Sequence, residues 1–158
     1  MTTIRKTIKR TFFLASSICL LFSCGTDEFE PYRQPFIHIM KGEISELTVS
    51  SEAKVLNEYK IYLSSAPLSE TLNVEFSIMP GDGLTEGVDY EIVTAGHILD
   101  FLPGIYDMPL RVRWLPHRVD PAKDNSLIIR IENNSMNLPM GLPGSDQKQR
   151  ELKITKTN

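Results

Sequence analysis

Few side chains in this sequence could do chemistry, and the most conspicuous is a thiol. Cys24 follows directly on an apolar run from Phe12 to Phe22 and a small Ser23. A thiol can be alkylated by lipid in a way no serine can, and a cysteine just past a hydrophobic segment sits at a membrane surface. His38, His97 and His117 are the only histidines, and no two have the i, i+4 or His-x-His spacing of a metal site. Asp120 and Asp124 could mimic the paired carboxylates of a glycosidase, but hydrolases of this size and composition are rare. "MPGDGLTEG" has glycines without the lysine and following helix of a phosphate loop. No nucleophile elbow is present. No catalytic residue, cofactor or metal is therefore expected, and the chain does not read as an enzyme. Aromatic residues offer a gentler chemistry, since their faces hold sugars. Trp114 is the sole tryptophan, but it is in phase with Leu110 and Val112, so core packing is its expected role. Tyr62 falls on the face opposite Ile61, as a platform or as an edge-strand aromatic.

The elements that must position these residues begin with a leader. Arg5, Lys6, Lys9 and Arg10 precede the apolar run, which is too short for a spanning helix of about 20 residues. Cations, short apolar core and small residue is the order of a secretory signal, here residues 1–23. Cys19 lies inside it and is discarded with it. Removing the leader takes four of the 17 cations and none of the 20 acids, so the mature chain is acidic. An acidic chain without a Lys/Arg cluster argues against nucleic acid and against charge-driven adhesion to anionic lipid. With one cysteine left, no internal disulfide can form. Residues 24–35 read as a tether in which Asp27, Glu28 and Glu30 extend the chain and Pro31 and Pro35 stiffen it.

Residues 36–158 alternate. His38 lies in a first strand, "PFIHIM". Further on, Tyr59, Ile61 and Leu63 share a face, as do Leu72, Val74, Phe76 and Ile78. Met108, Leu110, Val112 and Trp114 follow, then Leu127, Ile129 and Ile131, then Leu152 and Ile154. Period two with turn clusters such as "PGDG", "LPGIYD" and "MGLPGSD" between the runs is the strand signature. About seven short strands, each with one apolar face, bury those faces best as two packed antiparallel sheets. The fold class is all-β, a two-sheet antiparallel immunoglobulin-like sandwich. Met136, Leu138, Met140 and Leu142 also alternate, so that segment reads either as strand extension or as an exposed loop.

Two resemblances sharpen this reading. Leu21-Phe22-Ser23-Cys24 resembles the lipobox of bacterial lipoproteins, with Phe22 bulkier than usual at its position. The resemblance implies that Cys24 receives a diacylglyceryl thioether and becomes the first residue of a membrane-anchored protein. Asp27 and Glu28 resemble the acidic signal that sends some Bacteroidetes lipoproteins to the outer leaflet of the outer membrane, so the expected location is lipid-anchored there, with the surface side favoured over the periplasmic. From Lys60 to Asn133 the chain resembles the Calx-beta type of sandwich through Leu63-Ser64, Val74-Glu75-Phe76, Gly87-Val88-Asp89-Tyr90, Leu99-Asp100-Phe101-Leu102-Pro103-Gly104 and Leu110-Arg111-Val112.

In that motif Gly87 and Gly104 allow turns that a Cβ would strain, Tyr90 buries its ring, and Asp89 caps a turn. Calcium-binding relatives place an acidic run after the Val-x-Val strand. Here "LPHRVDPAKDN" stands in its place, leaving Asp120 and Asp124 beside Asp89 and Glu52, with Arg118 and Lys123 among them. Calcium takes several carboxylate oxygens, so tight binding is not expected. The expected function is a non-catalytic, lipid-anchored envelope module that binds a glycan or a protein partner. The alternative is a structural accessory subunit of a membrane complex. An exposed aromatic patch would favour the first and a long uncovered edge strand the second.

Overall fold

The computed structural model describes residues 34–158. The leader at 1–23, Cys24 and nearly all of the tether lie outside the described residues. The chain forms nine strands: β1 Phe36–Met40, β2 Glu46–Ser50, β3 Val55–Ser64, β4 Leu72–Pro80, β5 Tyr90–Ile92, β6 Ile98–Phe101, β7 Asp107–Trp114, β8 Ser126–Asn134 and β9 Glu151–Thr157. They make a four-stranded sheet in the order β1-β3-β7-β5 and a five-stranded sheet in the order β2-β9-β8-β4-β6. The immunoglobulin-like two-sheet sandwich expected from the alternation is present. It has two strands more than the seven or so expected; β5 and β6, of three and four residues, are too short for alternation to show.

All strand pairs are antiparallel except β2 with β9. After β1 the chain turns at Gly42 and Glu43, both with positive φ, and crosses to the other sheet. There β2 meets β9 running the same way, with Glu46 opposite Lys153 and Ser50 opposite Thr157. A parallel pair needs no hairpin between its members, so nothing local in the sequence announces it.

The inward residues are those the period-two pattern selects. Ile37, Ile39, Tyr59, Ile61, Leu110, Val112 and Trp114 from one sheet face Leu72, Val74, Phe101, Leu127, Ile129, Ile131, Leu152 and Ile154 from the other, all fully buried. Burying one such side chain contributes about 1.5–3 kcal/mol. Trp114 sits in this core, as expected. Its indole N–H donates to the Tyr59 hydroxyl at 3.0 Å, and the Tyr90 ring packs 6.2 Å away. Asn57 also donates to that hydroxyl, at 3.3 Å. Burial pushes the Tyr59 hydroxyl above its ordinary pKa.

The segment from Met136 to Leu142 is a loop rather than an extension of strands. The Asn134 side chain organises it, accepting from the Leu138 N–H at 2.8 Å and donating to the Leu138 carbonyl at 2.9 Å. Met136, Leu138 and Met140 fold back against the core. The loop then lies along β1: Ile37 donates to the Pro139 carbonyl at 2.9 Å, Gly141 donates to the Ile37 carbonyl at 2.7 Å, and Ile39 donates to the Gln149 carbonyl at 2.8 Å. The outer edge of β1 is thereby closed.

Trp114→Ala removes the largest buried side chain and leaves the Tyr59 hydroxyl short of a donor. The expected loss of unfolding free energy is about 3–5 kcal/mol, read from urea denaturation. A loss below about 1 kcal/mol would contradict the packing described.

Candidate functional site

The alternation of β9 puts Leu152 and Ile154 into the core, and it puts Lys156 there too. Lys156 is 1 % exposed. Its ammonium donates to Asp89 Oδ1 at 2.9 Å, to the Leu115 carbonyl at 2.9 Å and to the Asp89 carbonyl at 3.3 Å. The ammonium thus meets three acceptors. Asp89 ends the β4–β5 loop and is itself buried. Its Oδ2 accepts from the Thr85 N–H at 2.9 Å, which is the turn cap expected of it. Its Oδ1 also lies 2.9 Å from His117 Nδ1. Burial alone would raise the Asp89 pKa, but hydrogen bonds from Lys156, His117 and the Thr85 N–H together hold it below the usual carboxylate range.

Of the other carboxylates weighed as calcium ligands, Asp120 and Asp124 each bind a backbone N–H. Asp120 Oδ1 accepts from the Ala122 N–H at 2.9 Å, and Asp124 Oδ1 from the Ser126 N–H at 3.1 Å. Glu52 is exposed, and its own N–H is bound by Ser50 Oγ at 3.2 Å. Asp124 also packs tightly on the β4–β5 loop: a Cβ at Gly81 would stand 2.2 Å from the Asp124 carbonyl oxygen, closer than real Cβ contacts come. Among the described residues no three His, Cys, Asp or Glu side chains gather as a metal site. Gly87 and Gly104 take positive φ of 81° and 86°, as their turns require.

The three histidines stand apart. His117 joins Asp89. His97 tilts against Phe76 with centroids 5.7 Å apart. His38 points outward from β1 and stacks on Tyr62 of β3, its cross-strand partner, with centroids 5.3 Å apart and planes 19° from parallel. The Phe36 ring also lies near His38, with centroids 5.3 Å apart and planes tilted by 37°. Burial lowers the His38 pKa, and its Nδ1 is buried without a hydrogen-bond partner. The row Phe36–His38–Tyr62 thus occupies one end of the outer face of the four-stranded sheet. Beyond it lie three ion pairs, Lys60 with Asp107 at 2.9 Å, Arg111 with Glu58 at 2.7 Å and Arg113 with Glu91 at 2.6 Å, and the exposed Leu56.

Two features of this arrangement escape the sequence reading. Lys156 shares its phase with Leu152 and Ile154, and that phase was the signal for its burial. The stacking of His38 on Tyr62 depends on the β1–β3 register, which only the folded pairing sets.

Two sheets of four and five strands with the Asp89–Tyr90 turn between them define an immunoglobulin-like β-sandwich. Among solved structures the chain is similar to one titled "Crystal structure of CBD12 from CALX1.2", with a TM-score of 0.55 and 19% identity. The match covers 77% of this chain and 43% of that one, so this chain spans less than half the length of its structural relative. No family model matches the sequence, and no curated protein does.

Two outcomes follow from this geometry. Lys156→Met strips Asp89 of its main partner, and Asp89→Asn strands a buried ammonium. Each change is expected to cost about 3–5 kcal/mol, and the double variant well under the sum of the two. Because the Asp89 pKa is depressed by folding, its contribution is full above the ordinary value of 3.8 and fades as pH falls through the folded value. Denaturation curves below pH 4 therefore converge for parent and Asp89→Asn; parallel curves would refute the assignment. Separately, 1 mM calcium against excess chelator is expected to leave the Tm within about one degree, whereas a micromolar site would add about 4 kcal/mol.

Proposed function

We propose that this chain is a non-catalytic, lipid-anchored protein of the bacterial outer membrane, held by Cys24, whose sandwich binds a glycan on the outer face of its four-stranded sheet. The observation that carries the binding half is the Phe36–His38–Tyr62 row. The three residues are half-buried, and the parts of their rings left to solvent offer the C–H groups of a pyranose an apolar strip. Polar groups fixed beside them supply hydrogen bonds that set orientation. Asp107 and Lys60 stand at that boundary, Asp107 directly across from Tyr62 in the strand pairing.

The accessory-subunit reading needs an uncovered edge strand, and the edges speak against it. The edge of β1 is closed by the loop that runs from Met136. The remaining edge strands β2, β5 and β6 have five, three and four residues. Short edges are poor templates for strand addition. The lipoprotein half rests on the leader and the Leu21-Phe22-Ser23-Cys24 sequence, and places the protein on the surface side through Asp27 and Glu28.

Titration of the purified lipoprotein with a panel of polysaccharides, followed by calorimetry, tests the binding half. A bound glycan is expected to lose at least tenfold in affinity, about 1.4 kcal/mol, with Tyr62→Ala, while the Tm stays within about two degrees. If no glycan binds, or if the variant binds as well as the parent, the face is not a sugar platform. Cys24→Ser tests the anchor. Each buried CH₂ contributes about 0.8 kcal/mol, so acylation at Cys24 makes attachment effectively permanent. The variant is expected in the soluble fraction, and pelleting with membranes after a high-salt wash would contradict it.

A further inference from the structure

The two ends of the sandwich differ in charge. One end gathers the start of β1, the β3–β4 loop and the β6–β7 turn: Phe36 pairs with Ser64, Leu72 with Phe101, and the Leu63 N–H donates to the Tyr106 carbonyl at 2.8 Å. The β8–β9 loop also leaves from here, since Asn134 pairs with Val74 near the start of β4. The segments 102–106 and 135–145 contain no Asp, Glu, Lys or Arg, and the charges nearby are Glu70 of the β3–β4 loop and Asp100 and Asp107 flanking the β6–β7 turn. The opposite end is built from residues 51–54, 81–89 and 115–125. It carries Glu52, Asp82, Glu86, Asp120, Asp124, Lys54, Arg118 and Lys123 besides the buried Asp89.

At the less charged end a tight turn presents apolar side chains to solvent. Leu102, Ile105 and Tyr106 are 58%, 42% and 39% exposed. The Ile105 N–H donates to the Leu102 carbonyl at 2.9 Å, and Gly104 takes a φ of 86° to close the turn. Phe101 just before it is fully buried, so the core has no room for Leu102. The display is fixed by the backbone.

We infer that this end, with Leu102, Ile105 and Tyr106 at its tip, rests in the headgroup boundary of the bilayer. The inference depends on the lipid anchor proposed above and adds an orientation to it. Cys24 stands twelve residues before Phe36 in the sequence, and twelve residues reach about 40 Å at most. An anchor there draws the β1 end toward the membrane. That end is the less charged one. Leucine and isoleucine enter the acyl boundary, and a tyrosine ring settles at headgroup depth. Charge at the far end keeps the domain upright, because immersing it would strip water from ions.

The test uses the lipidated protein in phosphatidylcholine–phosphatidylethanolamine vesicles. Leu102→Cys and Lys123→Cys each introduce one free thiol for an environment-sensitive fluorophore, Cys24 being blocked by its acyl chains and Cys19 gone with the leader. The probe at 102 is expected to emit to the blue and to be quenched by a shallow lipid-borne quencher at least about twofold more than the probe at 123. Equal quenching at both positions overturns the inference. So does blue-shifted emission at 102 without lipid quenching, which would mean that a protein covers the tip. Intact mass separates the two proposals: a chain without acyl groups overturns the anchor and the orientation together, whereas an acylated chain with an unquenched probe overturns the orientation alone.

Discussion

A single buried ion pair fastens one end of this sandwich. Apolar packing holds the two sheets together but is poor at fixing how they align, because one methyl contact substitutes readily for another. The Lys156 ammonium supplies what packing lacks. From the last strand of one sheet it reaches the loop before β5 and the residue after β7, both belonging to the other. Only one alignment satisfies all three of its protons. Buried ions cost desolvation that their attraction only partly offsets, so the pair contributes more to a unique arrangement than to net stability. Neighbouring groups depend on it. Thr85, His117 and Leu115 all take their positions from Asp89, and Asn158 continues the clasp by pairing with Val119 through both its amide atoms.

The division of labour between the two faces of the four-stranded sheet follows from the pleat. Alternate residues of β1 and β3 build the core, and the intervening ones build the outer surface. His38 and Tyr62 are neighbours on that surface for the same reason that Ile37 and Leu63, or Ile39 and Ile61, are paired in register behind it. The ion pairs of Lys60, Arg111 and Arg113 lie on exposed positions and contribute little stability apiece. They separate the aromatic row at one end of that face from the exposed Leu56 at the other.

Much of this was legible beforehand, and the exceptions have physical reasons. Long strands carry enough alternation to reveal themselves, so Trp114 and Phe76 were placed correctly from phase alone. β5 has three residues and β6 four, and no period can be read from so few. Lys156 was passed over because charge type is a stronger cue than phase when a sequence is read residue by residue. Its phase was correct, and its partner lies 67 positions away, where no local pattern points. The loop after β8 alternated without being a strand. The Asn134 side chain bonds the backbone there, which frees that segment from a ladder.

The pairing of β2 with β9 also bears on how the chain reaches its final state. Glu46 waits for Lys153, Ile37 for Pro139 and Gly141, and Asp89 for Lys156. Each joins an early residue to one near the end of the chain, and closing such long loops costs entropy before any contact rewards it. A chain threaded end-first through a narrow opening therefore cannot finish the five-stranded sheet until β9 has come through, because β9 is the strand that joins β2 to β8. The four-stranded sheet, complete by Trp114, lacks its covering face until then.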